Sequence, residues 1–335
     1  MTAPLTSPNR SMTRAVFIRC FVVLLIMWAI ASHPRFSIAP IFPEATPEND
    51  ETNTSVLDGS MAAETVSYTE GLESAAPVAA HVAAKKHTDR VAVIVESRPL
   101  ANLVPILLHF HSVLGPEWLI IFYTAQETAN TLLNSAPLSR VVASSDIEIR
   151  YLPANATFDS HTSVSVFLTS AFLWTDLAPY LKILLFQADS ILCSASPTRV
   201  DESLGYDFIG APIHKQFGTG FNGGLSLRNR ELTLRVLERW DFGVDSKADD
   251  APTELRFEDQ WFYTRLRQLS EDVEFGGELV PDQGTAMRFS GETIWVEGQR
   301  PLGFHQPQRW QGDRMDEIMK YCPEVGMIAG SSFFG

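Results

Sequence analysis

Residues 182–192 read KILLFQADSIL, and this stretch decides the fold. The run Lys182–Phe186 has the length and apolar character of a strand that is buried on both faces of a sheet. Ligands of parallel sheets bind beyond the carboxyl ends of the strands, so Asp189 is expected at the ligand edge. A carboxylate oxygen there suits Mg²⁺ or Mn²⁺ bound against a diphosphate. The alternative interpretation is that Asp189 caps the following turn.

Similar apolar runs alternate with helical patterns from residue 90 onward. The pattern predicts strands at 91–95, 118–123 and 147–152, and helices at 100–114, 128–133 and 164–174. Strands that alternate with helices predict an α/β fold, in which a mostly parallel sheet has helices on both faces.

The first predicted strand is followed by Glu96-Ser97-Arg98-Pro99. A dinucleotide-binding fingerprint or a phosphate-binding P-loop would place a glycine-rich loop at this point. The commonest dehydrogenase and nucleoside triphosphatase functions are therefore excluded.

The chain of 335 residues carries a net charge of −14, which argues against a nucleic-acid partner. Hydrophobic residues make up 45% of the chain and charged residues 20%, which allows a sizeable core. An acidic chain can still bind a phosphorylated small molecule when a divalent cation stands between the two.

The N-terminus carries a targeting signal. Residues 15–31, AVFIRCFVVLLIMWAIA, form a hydrophobic segment that Arg10 and Arg14 precede. This pattern predicts a transmembrane signal anchor with residues 1–14 in the cytosol and the rest of the chain in the lumen. Ala29-Ile30-Ala31 also resembles a signal-peptidase site, so a cleaved signal peptide and a secreted protein are the alternative.

Residues 32–88 are rich in Pro, Ala, Ser, Thr and Glu, and they predict a disordered stem. The catalytic head is expected at 89–320, followed by a C-terminal tail at 321–335. N-glycosylation acceptors at Asn53 and Asn155 agree with a lumenal location.

The chain has three cysteines, which is too few for a disulfide framework. Cys20 lies in the hydrophobic segment. Cys193 and Cys322 remain as one possible disulfide pair, and the sequence leaves their pairing open.

Three later motifs each allow two interpretations. Asn222-Gly223-Gly224 suits either a hairpin turn or a sugar pocket that the backbone approaches closely. Glu258 and Asp259 open a predicted helix, where they either cap it or act on the acceptor. In the second case one of them accepts the proton of the attacking hydroxyl if the reaction inverts, or the pair serves in binding if it retains configuration. His305 follows Gly303 in a predicted loop rich in Gly and Pro, where it is either a surface residue or a ligand of metal or diphosphate.

The order of these motifs closely resembles a largely uncharacterised fungal family of glycosyltransferase-like domains, over about residues 90–310. The matching residues are Glu96-Ser97-Arg98-Pro99, Leu114-Gly115-Pro116 with Trp118, Phe172 with Trp174, Phe186-Gln187-Ala188-Asp189-Ser190, Tyr206-Asp207-Phe208-Ile209-Gly210-Ala211-Pro212, Asn222-Gly223-Gly224-Leu225-Ser226-Leu227-Arg228, Glu258-Asp259, Phe289-Ser290 with Glu292, and Gly303 with His305.

The resemblance implies a GT-A-like fold, in which a nucleotide-sugar binds at the carboxyl edge of a Rossmann-type sheet and an acidic motif holds Mn²⁺ or Mg²⁺. Asp189 matches the last acid of that motif, and His305 matches a late histidine of the metal shell. Glu96, with Arg98 beside it, lies where the base or ribose of the nucleotide would bind.

By the same resemblance, Asn222, Gly223 and Gly224 line the sugar pocket, and Glu258 and Asp259 are the acidic pair near the acceptor. One departure is Gln187, which stands where the family motif has its first acid. Gln187 can offer a carbonyl oxygen to the donor site, but the site loses one negative charge.

These patterns together predict a glycosyltransferase in the Golgi or endoplasmic reticulum lumen, held as a single-pass type II membrane protein. It would move a sugar from a nucleotide-sugar donor to a glycan, protein or lipid acceptor. One alternative is another enzyme class on a similar sheet, such as a nucleotidyltransferase or a nucleotide-sugar hydrolase. The other is a non-catalytic lumenal protein that binds nucleotide or glycan, for which Gln187 is the main support.

Overall fold

A computed structural model describes residues 86–329, apart from 154–155, 157, 159, 249–250 and 272–279. The predicted cytosolic tail, membrane anchor and nearly all of the predicted stem lie outside these residues, as do Asn53 and Asn155. Among the residues that are described, no helix is both long and apolar enough to cross a bilayer.

The first half of the head alternates strands with helices, as the sequence pattern predicts. Its elements are β1 (Arg90–Val95), α1 (Leu103–Leu114), β2 (Ile120–Thr124), α2 (Gln126–Leu132), α3 (Ala136–Ala143), β3 (Ile147–Tyr151), α4 (His161–Leu168), α5 (Ala171–Asp176) and β4 (Lys182–Phe186). The four strands pair in parallel in the order β3–β2–β1–β4.

The region 164–174 differs from the sequence prediction, because it holds two helices instead of one. The Thr169 hydroxyl donates to the Ser165 carbonyl, and the Ser170 hydroxyl donates to the Phe167 carbonyl. Such side-chain bonds compete with the backbone bonds that would continue a helix, so α4 ends at Leu168 and α5 begins at Ala171. Helix α3 was also not predicted.

The second half adds antiparallel strands and a second, smaller sheet. Its elements are β5 (Ser190–Leu192), β6 (Phe208–Pro212), β7 (Phe221–Asn229), α6 (Arg230–Arg239), α7 (Phe242–Asp245), α8 (Glu258–Glu271), α9 (Gln283–Phe289), β8 (Ser290–Gly291), β9 (Gly303–His305), α10 (Pro307–Trp310) and α11 (Met315–Tyr321), with 3₁₀ turns at Val200–Ser203, Thr253–Leu255, Gly312–Arg314 and Pro323–Met327.

Strand β7 runs antiparallel between β4 and β6, which completes a six-stranded sheet in the order β3–β2–β1–β4–β7–β6. The smaller sheet has the order β5–β9–β8. Strand β5 follows β4 after three residues, so the smaller sheet brings the late strand β9 to the carboxyl end of β4.

Hydrophobic cores on the two faces of the large sheet confirm the α/β prediction. Along β1, Val91 and Val93 pack in one core with Trp174 of α5, whereas Ala92 and Ile94 pack in the other with Phe110 of α1. Alternate strand residues point to opposite faces, so an apolar run without polar interruption is what a covered sheet requires.

The C-terminal segment is part of the packed head. Cys193, next to β5, is disulfide-bonded to Cys322, at the end of α11, with 5.1 Å between the Cα atoms. Val325 and Ile328 are buried in the main core. The packed chain therefore continues past residue 320, where the sequence analysis placed the start of a tail.

Removal of this disulfide is expected to lower the free energy of unfolding by about 2–5 kcal/mol, because the bond joins residues 129 apart and restricts the unfolded chain. Urea unfolding of the Cys193→Ser/Cys322→Ser variant under non-reducing conditions measures the loss. Cys20→Ser is the matched control. Equal stability of the double variant and the native chain would contradict a structural disulfide.

Candidate active site

A cleft of about 460 Å³ opens where the carboxyl end of β4 meets β7, β9 and the start of α8. Of the sequence-predicted residues, it is lined by Gln187, Asn222, Gly223, Gly224, Glu258, Asp259 and His305. A smaller adjoining cavity is lined by Glu96, Arg98 and Asp189, and Gln187 borders both cavities. The fold therefore brings all ten predicted site residues to one edge of the sheet.

His305 lies at the centre of this arrangement. It is in β9, paired with Ser190 of β5, and only 4% of its surface is exposed. The interpretation of His305 as a surface residue of a loop is therefore wrong. Its Nδ1 lies 2.9 Å from Glu292 Oε1, and its Nε2 lies 3.1 Å from Gln187 Oε1 and 3.3 Å from Asp189 Oδ1.

The two carboxylates determine the charge of this histidine. Burial acts to lower the pKa of His305, but the charges and hydrogen bonds of Asp189 and Glu292 outweigh it and raise the pKa to about 10. The imidazole is therefore held as a cation between two anions.

The Asp189 carboxylate is buried and faces residues from the C-terminal part of the chain. One oxygen faces His305, and the other accepts a hydrogen bond of 2.5 Å from Gln306 Nε2. Burial acts to raise the pKa of Asp189, but His305 and Gln306 stabilise the charged form and hold the pKa below its usual value. These two contacts, and not a turn cap, hold the carboxylate in place.

Asp189, His305 and Gln187 fit a divalent cation in part. Metal-binding histidines usually donate the N–H of their other ring nitrogen to a carboxylate, as His305 can do to Glu292. The Asp189 carboxylate, the Gln187 amide oxygen and Nε2 of His305 lie close together. An imidazolium has no free lone pair, so His305 could bind a metal only after loss of its Nε2 proton. However, no group of three or more His, Cys, Asp and Glu side chains able to hold a metal occurs in the described part of the chain. The residues therefore suit a cation that takes most of its ligands from a diphosphate and water.

Asn222-Gly223-Gly224 lies inside β7, so the hairpin-turn interpretation is wrong. A side chain at position 224 would overlap the His305 imidazole, and one at position 223 would overlap the Arg228 guanidinium. The Gly224 carbonyl accepts hydrogen bonds from the Gln187 N–H and the Ser190 hydroxyl, at 2.9 and 2.6 Å. The two glycines thus let bare backbone form the floor of the cleft.

Glu258 forms a buried ion pair with Arg228. The two guanidinium nitrogens donate to the two carboxylate oxygens at 3.1 and 3.2 Å, and Arg228 is 2% exposed. The rings of Phe208 and Phe262 lie 5.0 and 5.4 Å from the guanidinium carbon. A carboxylate whose two oxygens both accept from a guanidinium is poorly placed to accept a proton as well. The geometry therefore gives Glu258 a structural role as the buried partner of Arg228.

Asp259, the next residue, faces the cleft and is partly buried. Its Oδ2 accepts from the Gly223 N–H at 3.0 Å, and its Oδ1 accepts from the Gln260 N–H at 2.8 Å. Burial and the negative charge of Glu258 raise the pKa of Asp259 to about 7, against the opposing effect of these hydrogen bonds and of Arg228. A carboxylate with a pKa near neutrality is suited to exchange protons with a ligand.

Glu96 and Arg98 hold each other at the wall of the smaller cavity. Arg98 Nε and Nη2 donate to the two oxygens of Glu96 at 2.9 and 2.8 Å, and the Arg98 backbone N–H donates to Glu96 Oε1 at 2.9 Å. Glu96 is buried while Arg98 is partly exposed. The paired side chains form a polar part of the cavity wall.

Sequence analysis gave no role to Glu292, Gln306 or Arg228. Glu292 was visible only as a matching residue of the family pattern, 13 residues before its partner His305. Strands β8 and β9 pair in parallel and bring Glu292 close to His305. The paired segments are too short to be predicted from a local sequence motif.

Residues 146–305 match a family described as "Protein of unknown function (DUF5672)". A search of curated proteins found no match. Among solved structures, the chain is similar to the apo form of the glycosyltransferase GlyE of Streptococcus pneumoniae TIGR4, with 13% identity and a TM-score of 0.38 over 65% of this chain and 54% of that one. It is also similar to TarS residues 1–349 of S. aureus, with 11% identity and a TM-score of 0.34 over 53% of this chain and 54% of that one. The chain thus spans about half the length of each of these structures.

Loss of one partner of the Arg228–Glu258 pair is expected to destabilise the head by about 3–5 kcal/mol, because an unpaired charge stays buried. Arg228→Met, Glu258→Leu and the double variant, compared by urea unfolding, measure the coupling. The double variant should be more stable than the sum of the two single losses predicts. Strict additivity would show that the pair does not act as a unit.

Asp259 is expected to make stability fall as pH rises. Its pKa is about 7 in the folded chain and 3.8 in its usual state, so the folded state binds the proton more tightly between these values. Asp259→Asn should therefore gain stability relative to the native chain from about pH 4 to pH 7, with no further gain above. Urea unfolding across pH 4–8 tests this, with the exposed Asp313→Asn as control. A difference independent of pH would contradict the raised pKa.

Proposed function

We propose that this chain is a glycosyltransferase with a GT-A-like head, which moves a sugar from a nucleotide-sugar donor to an acceptor hydroxyl. The observation that carries the proposal is the cleft that joins Asp189 and His305, the bare backbone of Gly223 and Gly224, and the Asp259 carboxylate. This arrangement offers a place for a diphosphate, a pocket for a sugar and a group that can take a proton. The family resemblance of the motifs supports the same assignment.

On the donor side, we assign the nucleoside to the Glu96–Arg98 pair. Asp189, the amide oxygen of Gln187 and His305, the last as a neutral imidazole that has lost its Nε2 proton, are the residues that would hold Mn²⁺ or Mg²⁺ against the diphosphate. A divalent cation at this position would supply neutralisation of the charge that develops on the leaving nucleoside diphosphate. The sugar would lie over the backbone of β7, where Asn222 borders the cleft.

On the acceptor side, Asp259 is the proposed general base. As the acceptor oxygen bonds to the anomeric carbon, the bond from that carbon to the diphosphate breaks and the hydroxyl proton passes to Asp259. Its pKa of about 7 leaves a substantial charged fraction at neutral pH while the carboxylate stays basic enough to accept the proton. Glu258 supports this role indirectly, because its charge helps to raise that pKa.

We further propose that the head lies in the lumen of the Golgi or endoplasmic reticulum, anchored by residues 15–31 and separated from the membrane by the stem at 32–88. The Cys193–Cys322 disulfide supports a location in the secretory pathway, because such bonds persist in oxidising compartments. Secretion after signal cleavage is the alternative.

A second candidate function is a non-catalytic lumenal protein that binds nucleotide or glycan. Two observations favour it: Gln187 replaces an acid of the family motif, and the His305 imidazole is already held between Asp189 and Glu292. This candidate predicts ligand binding that does not respond to a divalent cation.

Thermal unfolding of the full-length chain with UDP, GDP, CDP and ADP, with and without Mn²⁺, tests the proposal. A ligand that binds only the folded state raises its melting temperature, by an amount that depends on concentration over Kd. We expect one nucleotide to produce a shift that needs Mn²⁺. Asp189→Asn should abolish the shift without loss of the unliganded fold, whereas Asp313→Asn should preserve it.

The other outcomes decide between the two candidate functions. A shift of equal size with and without Mn²⁺ would favour the non-catalytic protein. The absence of a shift with every nucleotide would refute the donor site.

A further inference from the structure

Two exposed aromatic rings line the cleft. The exposed aromatic side chains of the described residues are Tyr151, Phe172, Phe217 and Phe257, and the last two line the cleft. Phe217 is 37% exposed and Phe257 is 48% exposed. Apolar rings left in solvent beside polar groups are typical of a ligand pocket, where the ligand covers them.

Both rings are positioned by residues next to the proposed base. Phe257 directly precedes α8 and is two residues from Asp259. The Gln260 side chain clamps the turn that carries Phe217, because its Nε2 donates to the Phe217 carbonyl at 3.2 Å and its Oε1 accepts from the Thr219 N–H at 2.9 Å. Asp259 and the two exposed rings therefore line the same cleft, and both rings are linked to the start of α8.

The far side of the Phe217 ring is supported by the segment that follows His305. The Trp310 ring centroid lies 4.8 Å from that of Phe217, and the Arg309 guanidinium lies 4.8 Å from the Trp310 ring. Arg309 also donates to Gln306 Oε1 at 3.2 Å, and Gln306 donates to Asp189. Phe217 is therefore linked by contacts both to α8, which carries the proposed base, and to the segment whose Gln306 holds Asp189.

We propose that Phe217 and Phe257 form the acceptor subsite and that the acceptor is a carbohydrate, with a sugar ring lying on an aromatic face and one hydroxyl directed at Asp259. This inference rests on the proposed function and names its acceptor class. A pyranose has a face of C–H groups, which the negative face of an aromatic ring attracts, and a rim of hydroxyls. The cleft supplies matching hydrogen-bonding groups in Gln216 and Asn222 beside the rings.

The lining of the cleft argues against a lipid chain or a nucleobase on the two rings. A lipid chain needs a continuous apolar wall, but Gln216, Asp259 and Gln260 line the cleft together with the rings. The nucleobase is assigned to the Glu96–Arg98 cavity, whose lining does not include either ring. A sugar has both an apolar face and hydroxyl groups within a single ring, so it can contact the aromatic and the polar residues of the cleft at the same time.

Saturation-transfer NMR on the full-length chain tests the inference. The probes are methyl glycosides of glucose, galactose, mannose and N-acetylglucosamine, with Mn²⁺ replaced by Mg²⁺ and with saturating nucleoside diphosphate. We expect transfer to the ring C–H protons of at least one glycoside. Phe217→Leu and Phe257→Leu keep an apolar side chain but lose the ring. Each substitution should raise the glycoside concentration at half-saturation about tenfold, which corresponds to a loss of about 1.4 kcal/mol of binding free energy.

Phe172→Leu is the matched control, because Phe172 is a comparably exposed ring outside the cleft, and it should leave binding unchanged. The inference is overturned if no glycoside binds, if a Ser/Thr peptide binds in its place, or if both cleft variants bind glycosides as tightly as the native chain. The nucleotide-induced thermal shift, measured on the same samples, distinguishes failure of the acceptor inference alone from failure of the proposed function. Its presence leaves the glycosyltransferase proposal standing when the acceptor inference fails, and its absence removes both.

Discussion

The His305 imidazole, buried between the Glu292 and Asp189 carboxylates, is the contact on which the rest of the site depends. Each anion would be costly to bury alone, and the cation between them compensates both. The three residues come from β9, from the segment after β8 and from the segment after β4. A single electrostatic triad therefore closes the C-terminal part of the chain onto the edge of the parallel sheet.

The neighbouring acids Glu258 and Asp259 show how burial and partners separate two similar residues. Glu258 is paired with Arg228, which is surrounded by aromatic rings, so the charge of Glu258 serves to balance a buried cation. Among the described residues, Asp259 has only backbone N–H groups as hydrogen-bond partners, and it is close to the negative charge of Glu258. Its pKa is therefore raised, and it holds its proton more tightly than a free acid or an ion-paired acid does. Of the two acids, Asp259 is therefore the one to which we assign the proposed proton transfer.

Much of the fold follows from local sequence, because a strand covered on both faces must be apolar without interruption. The runs around Val93 and Leu184 satisfy this condition, and both are strands at nearly the predicted residues. The edge location of the predicted site residues also follows in part from local sequence, since Glu96 and Asp189 come after strands and Glu258 and Asp259 open a helix. Their environments were not predictable, because the burial of His305 and the strand conformation of Gly223 depend on pairings between segments far apart in the chain.

The glycine floor of the cleft has a consequence for the divergence of specificity. Neither Gly223 nor Gly224 can accept a side chain without displacing Arg228 or His305, so the floor of the cleft, where we propose that the sugar lies, has no side chain to vary at these two positions. Changes of ligand preference among descendants of this chain would have to arise on the walls, at positions such as Ile213, Gln216 and Thr293. A cleft built in this way can acquire new substrates while its floor stays the same.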